Sequence, residues 1–217
     1  MGGRYTMFVT VLKWLAAIIA VIGAGAYWFV SLPQMDPLMT PERKARIEAS
    51  PHYVNGQFVP ETPHTPVTPS WSFWKEFLFP TPGKTIPAVP MVAEKTDLKA
   101  LDPQQDVVVW LGHSSFYMQL HGKKILIDPI AATYASPVPF VDKAFDGSNV
   151  YGPDDIPDDI DVMVLSHDHW DHLDYDFVRA IEPKVKHVVT GLGNGGYYAK
   201  WGYPLSKIAE EDWNTPV

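Results

Sequence analysis

The hydrophobic pattern divides the chain into three stretches. No charged residue interrupts the 22 residues from Trp14 to Met35, which follow Arg4 and Lys13 and stop at Asp36. As a helix rising about 1.5 Å per residue, this run spans about 33 Å, enough for a hydrocarbon core of about 30 Å. Residues 1–35 therefore read as a membrane anchor or signal segment. The basic residues lie ahead of the apolar run, which places the N-terminus in the cytoplasm and the rest on the extracytoplasmic, periplasmic side. Ala24-Gly25-Ala26 offers the small-x-small site of a cleaved signal, which would release a secreted protein. Tyr27-Trp28-Phe29-Val30 carries the apolar run past what such a signal needs, which favours a retained anchor.

Residues 36–100 change character. Twelve of the 21 prolines lie between Pro33 and Pro90, with Pro60, Pro63, Pro66 and Pro69 at three-residue intervals. Proline fixes φ and lacks an amide donor, so the pattern predicts a stiff extended neck through which neither helix nor central strand runs. Trp71, Phe73, Trp74, Phe77, Leu78 and Phe79 interrupt it with an aromatic cluster. Packing onto the folded domain is the leading expectation for that cluster, and contact with a membrane surface the second.

Regular alternation begins near Asp106, in a domain assigned to residues 101–217. Val107 to Leu111 is a short apolar run suited to a buried strand. Phe116, Met118 and Leu120 alternate with polar positions, and His121-Gly122-Lys123 turns the chain into Lys124–Asp128, which predicts a hairpin. Val162 to Leu165 and His187 to Thr190 are further strands. Between them, Asp174 caps a helix that Pro183 ends, and a second short helix is expected over Tyr197–Trp201. Strands alternating with helices indicate an α/β class.

Charge sharpens this division. The net charge is −8, with +2 over residues 1–100 and −10 over residues 101–217. An acidic surface of this kind argues against nucleic acid as a partner, because that affinity rests on Lys/Arg contacts to phosphates. The absence of cysteine excludes disulfides and thiolate metal sites, so any metal ligand must be nitrogen or oxygen.

The chemistry gathers directly after the Val162–Leu165 strand, in Ser166-His167-Asp168-His169-Trp170-Asp171-His172. Three of the eight histidines and two aspartates fall within six residues. Imidazoles two residues apart on a turn can converge on one cation, while Asp171 and His172 diverge toward a second. Neutral imidazole with carboxylate suits Zn²⁺, with Mn²⁺ or Fe²⁺ as alternatives. His64 and His121 read as solvent-facing, and His187 as a strand residue.

Ser166 through His172 resembles the H-x-H-x-D-H signature of the metallo-β-lactamase superfamily. Trp110-Leu111-Gly112-His113-Ser114-Ser115, Leu126-Ile127-Asp128-Pro129, Ser136-Pro137, Gly191-Leu192-Gly193 and His52 to Phe58 are similar to segments of its N-acylphosphatidylethanolamine-hydrolysing phospholipase D-like branch. The likeness runs from about residue 51 onward. It implies the N-terminal half of an αβ/βα sandwich and a metal-dependent hydrolase. His167 and His169 would hold the first metal and Asp171 and His172 the second, with Asp171 also catalytic. Asp128 would orient the ligands from behind, and His113 would stand beside the site in a structural or catalytic role. The implied reaction is attack of a metal-bound hydroxide on a lipid-like phosphodiester, with two zinc ions in a complete site.

The same resemblance implies a further histidine for the first metal, a bridging aspartate and a final histidine, all downstream of the matched segments. His187 is the last histidine in this sequence. The expectation is therefore a C-terminally truncated relative with one open sheet face. A lactonase-like hydrolase and a non-catalytic, membrane-tethered fragment are the alternatives.

Overall fold

The computed structural model describes residues 2–62, 68–138 and 142–216, with side chains from Met7 onward. His64 lies outside the described residues. The chain divides into two units, one ending at Asp36 and one from Pro37 onward.

The first unit is a single helix, α1 (Gly2–Val30). Its segment Met7–Val30 is 24 residues of apolar helix with none of its surface buried. That length and composition suffice to cross a membrane, and a signal sequence has the same properties.

The second unit opens with structure that the proline pattern did not suggest. Helix α2 (Pro41–Ala49) carries Pro41 in its first turn, where a missing amide costs nothing, and Thr40 caps it by accepting from the Arg43 amide at 3.2 Å. Strands β1 (Tyr53–Val54) and β2 (Gln57–Phe58) make a small hairpin. Helix α3 (Trp71–Leu78) is capped in the same way, Ser70 Oγ accepting from the Phe73 amide at 3.2 Å. Helices thus form between the prolines, which mark their ends, so the expected extended neck is corrected. The aromatic cluster also differs from its leading expectation: Trp71 is 83% exposed and Phe79 72%, and every apolar side chain of α3 faces outward.

The main sheet has six strands in the order β3-β4-β5-β6-β7-β8: Val107–Gly112, Ser115–Leu120, Lys123–Ile127, Ile160–Leu165, Val185–Gly191 and Ile208–Glu211. The first three form an antiparallel meander and the last four run parallel. His121 and Gly122, with φ of 49° and 74°, make the β4–β5 turn, a backbone matched to the strand twist. Helix α4 (Tyr175–Ile181) connects β6 to β7, and α5 (Gly195–Lys200) connects β7 to β8.

The two sheet faces are unlike. One row across the sheet, Tyr117, Leu126, Met163 and Val188, is fully buried together with Phe177, Val178 and Ile181 of α4 and Tyr198 of α5. Burying each such side chain contributes about 1.5–3 kcal/mol. The neighbouring row on the opposite face, Val108, Met118, Ile125, Val162 and His187, is exposed or only half covered. This second face is the less covered of the two.

Helix α5 begins two residues earlier than the pattern over Tyr197–Trp201 suggested. Gly195 and Gly196 open it because a Cβ on Gly195 would lie 2.5 Å from the Glu210 side chain, and one on Gly196 2.7 Å from Pro37. Glu210 is buried, accepting from the amides of Gly193 and Gly195 and pairing with the buried Arg43 at 2.9 Å. Residues 37–50 are thereby fastened to the far edge of the sheet.

Candidate metal centre

Strand β6 ends at Leu165 and releases the chain at the carboxyl end of the parallel sheet, where side chains of neighbouring strands can meet. The next residues fold into a tight turn. The His169 carbonyl accepts from the amides of both His172 and Leu173 at 2.9 Å, and Asp174 then caps α4. The second carboxylate oxygen of Asp174 accepts from Ala131 and Ala132, which ties this turn to the segment after β5.

Beneath the turn sits Asp128, only 3% exposed. It lies just past β5 with φ of 42°, a left-handed backbone that aspartate tolerates better than most residues. Its Oδ1 accepts from the Ser166 amide at 2.7 Å, and its Oδ2 from the Ser166 hydroxyl at 2.6 Å and from His172 Nδ1 at 2.8 Å. The Ser115 hydroxyl donates to the Asp128 carbonyl and accepts from the Ile130 amide at 3.0 Å, which fixes the aspartate from behind. Asp128 thus holds Ser166 and the His172 ring from below the turn. A carboxylate on Nδ1 commits His172 to the tautomer that offers Nε2 to an ion.

His113 is also in the left-handed region, with φ of 43°, at the β3–β4 turn. Its carbonyl accepts from Trp110 Nε1 at 2.7 Å. That conformation turns the ring across the sheet edge, so that its Nε2 stands 2.9 Å from Asp171 Oδ2, which in turn lies 3.6 Å from His172 Nε2. One ligand atom from each of His113, Asp171 and His172 falls within 4.8 Å of the other two. This donor set fits a divalent ion: two imidazoles and one carboxylate, with one imidazole held by a buried carboxylate. His113 was expected beside the site, and the structure brings it into the converging group. Its signal in the sequence was the W-L-G-H segment, read without the turn geometry that aims it.

His167 and His169 stand next to this group. The His167 ring centroid is 4.0 Å from that of His172 and 4.6 Å from that of His169. The Ser166 hydroxyl lies 2.9 Å from His167 Nδ1. Burial, and then repulsion from His172 and His169, lowers the His167 pKa below the ordinary imidazole value, which favours the neutral, ligating form. Asp168 accepts from the Tyr197 hydroxyl at 3.3 Å, a contact that shapes the loop. His121 and His187 are exposed and stand away from the cluster, on the β4–β5 turn and in β7.

A cleft of about 540 Å³ opens beside His113 and Asp171. Its walls are mostly apolar and include Met91, Trp110, Ile130 and Phe145. Such walls suit the apolar part of a ligand whose polar group lies at the mouth of the site.

Residues 77–215 match the beta-lactamase superfamily domain. An uncharacterised protein of Mycobacterium tuberculosis is 29% identical over 217 residues, an alignment covering 92% of this chain and 55% of the relative. The chain thus spans about half the length of that curated relative. An N-acyl-phosphatidylethanolamine-hydrolyzing phospholipase D of Caenorhabditis elegans is 40% identical over 85 residues, covering 36% of this chain and 22% of its own. A UPF0173 metal-dependent hydrolase of Hyperthermus butylicus is 35% identical over 66 residues, covering 30% and 23%. With the family match extending over more than half of its residues, this chain belongs to the beta-lactamase superfamily.

Proposed function

We propose that the chain acts as a membrane-held, metal-dependent hydrolase of phosphodiester bonds in lipid-like substrates. The observation that carries this reading is the convergence of His113, Asp171 and His172 above the buried Asp128. Three protein donors with an open side is the ligand count of a catalytic zinc site. His167 and His169 stand ready for a second ion, and Mn²⁺ or Fe²⁺ suits the same nitrogen and oxygen donors. A bound divalent ion would supply Lewis-acid polarisation of the phosphoryl oxygen and an activated water.

The chain's own residues supply the rest. Asp128 keeps the His172 ring in one orientation directly and holds Ser166 beside His167, so the ligand geometry exists before substrate arrives. Asp171 puts its Oδ2 at the common focus, and its other carboxylate oxygen would be the one to hold a proton taken from water. The apolar walls of the adjoining cleft receive the non-reacting part of the substrate. The similarity to the phospholipase D of C. elegans supports the phosphodiester assignment, α1 supports a lipid setting, and Arg4 and Lys13 ahead of its apolar run support the extracytoplasmic side.

The test is hydrolysis of a water-soluble phosphodiester by the full chain in detergent, before and after removal of metal. Turnover that disappears with chelation, returns with zinc and is lost in His172→Ala supports the reading. Turnover indifferent to chelation contradicts it.

A further inference from the structure

The surface around α3 is the least explained part of the molecule. Six apolar side chains in nine residues point outward: Trp71, Phe73, Trp74, Phe77, Leu78 and Phe79 are 42–83% exposed. Clustered exposed aromatics of this kind mark a contact surface, whereas single ones are ordinary. Phe73 and Phe77 stack on one another at 6.2 Å between centroids, with Trp74 edge-on to both, so the patch is preformed.

The helix also borders a second cleft, which Phe73 and Phe77 line. That cleft shares Pro87 and the run Asp142 to Phe145 with the apolar cleft beside His113 and Asp171. The two clefts adjoin along this wall, apolar at Pro87, Ala144 and Phe145 and charged at Asp142 and Lys143, which joins the exposed aromatic helix to the converging ligands.

Charge identifies the occupant. Residues 71–90 contain only Lys75, Glu76 and Lys84, and Lys84 pairs with Glu76. The segment is nearly neutral and slightly basic, whereas residues 101–217 carry −10. Tryptophan and phenylalanine with little charge, on a helix whose polypeptide also carries the apolar segment Met7–Val30, suit the headgroup boundary of a bilayer. We infer that α3 lies in the surface of a lipid bilayer, and that the path it opens carries an aliphatic substrate chain from the bilayer to His113 and Asp171. The second half of this inference rests on the phosphodiester reading above; the first half does not.

The chain has no cysteine, so single-cysteine spin labels can be placed freely. The full chain is reconstituted in phosphatidylcholine–phosphatidylglycerol vesicles with a nitroxide at Trp71→Cys or at Phe79→Cys, and separately at the exposed Ser206→Cys. Accessibility to oxygen and to a water-soluble nickel chelate is then compared. Labels on α3 should be open to oxygen and protected from nickel, at a depth of about 5–10 Å below the headgroup surface. The label at residue 206 should stay open to nickel. Nickel access on α3 equal to that at 206 would overturn the inference. So would protection from both reagents, which would mean that protein, including a second copy of this chain, covers the helix.

A second arm compares hydrolysis of a vesicle-borne phosphodiester with a water-soluble one. Phe79→Ser should lower the first by about tenfold, the worth of roughly 1.4 kcal/mol of lost apolar contact, and leave the second unchanged. Equal effects on both overturn the substrate path. No turnover of either substrate by the unaltered chain defeats the phosphodiester reading and with it the path, while the depth profile still decides where α3 lies.

Discussion

Two halves of the histidine cluster are built with different support. His172 is held through Nδ1 by the buried Asp128 and converges with Asp171 and His113. His167 and His169 lie beside them, with the Ser166 hydroxyl near His167 Nδ1 as the contact between that pair and the same aspartate. The difference teaches where preorganisation comes from. A ligand fixed by a buried charge keeps its geometry without the ion, whereas one fixed through a rotatable hydroxyl near the surface has more freedom to lose on binding. On the proposed reading, the triad containing His113 should take the first ion, because His172 alone of these rings is held by a buried carboxylate.

The most severe way to break this comparison is to remove a triad ligand. His172→Ala should weaken zinc binding by more than about a hundredfold, beyond the roughly 10–100-fold typical of orienting partners, as read by competition with a chromogenic chelator. Asp128→Asn comes next. It should cost about 10–100-fold in zinc affinity, and about 1–3 kcal/mol in unfolding free energy, because the Ser166 and His172 donors then meet a weaker acceptor. Denaturant unfolding without metal separates the two effects.

Ser166→Ala sharpens the contrast. It should weaken the His167 side by about tenfold and leave the first equivalent of zinc nearly as tight, while Ser166→Thr restores the loss. A titration that distinguishes the two equivalents reads this directly.

The smallest effect is expected far from the centre. His52 is partly desolvated, which lowers its pKa, but hydrogen bonds to Asp212 at 3.0 Å and to Glu61 at 3.0 Å outweigh this and leave it raised. A raised folded-state value means stabilisation that is full below the unfolded value of about 6.5 and is lost as pH rises through the folded one. Thermal unfolding should therefore show a modest fall in stability above neutral pH, and His52→Ala should flatten it.

Much of this was legible from residues alone, for definite reasons. The period-2 alternation at Phe116–Leu120 and the continuous apolar run at Val162–Leu165 report sheet burial directly, and both are strands. The density of histidine and aspartate over 166–172 is visible without any fold. His113 was not legible as part of the converging group, because its reach depends on a left-handed backbone at one turn and on strand order. The Arg43–Glu210 pair joins residues 167 positions apart, a distance over which no local pattern carries information. Helix α3 escaped because proline density was read as exclusion, although prolines placed between short segments leave room for capped helices.

The central claim is that His113, Asp171 and His172 hold a divalent ion above Asp128. Zinc titration of the metal-free full chain, followed by X-ray absorption at the zinc edge with one equivalent bound, tests it most directly. The result expected is one tight equivalent with a mixed imidazole and carboxylate shell that loses an imidazole in His113→Ala. An absence of tight binding, or a shell unchanged by that substitution, would contradict the account.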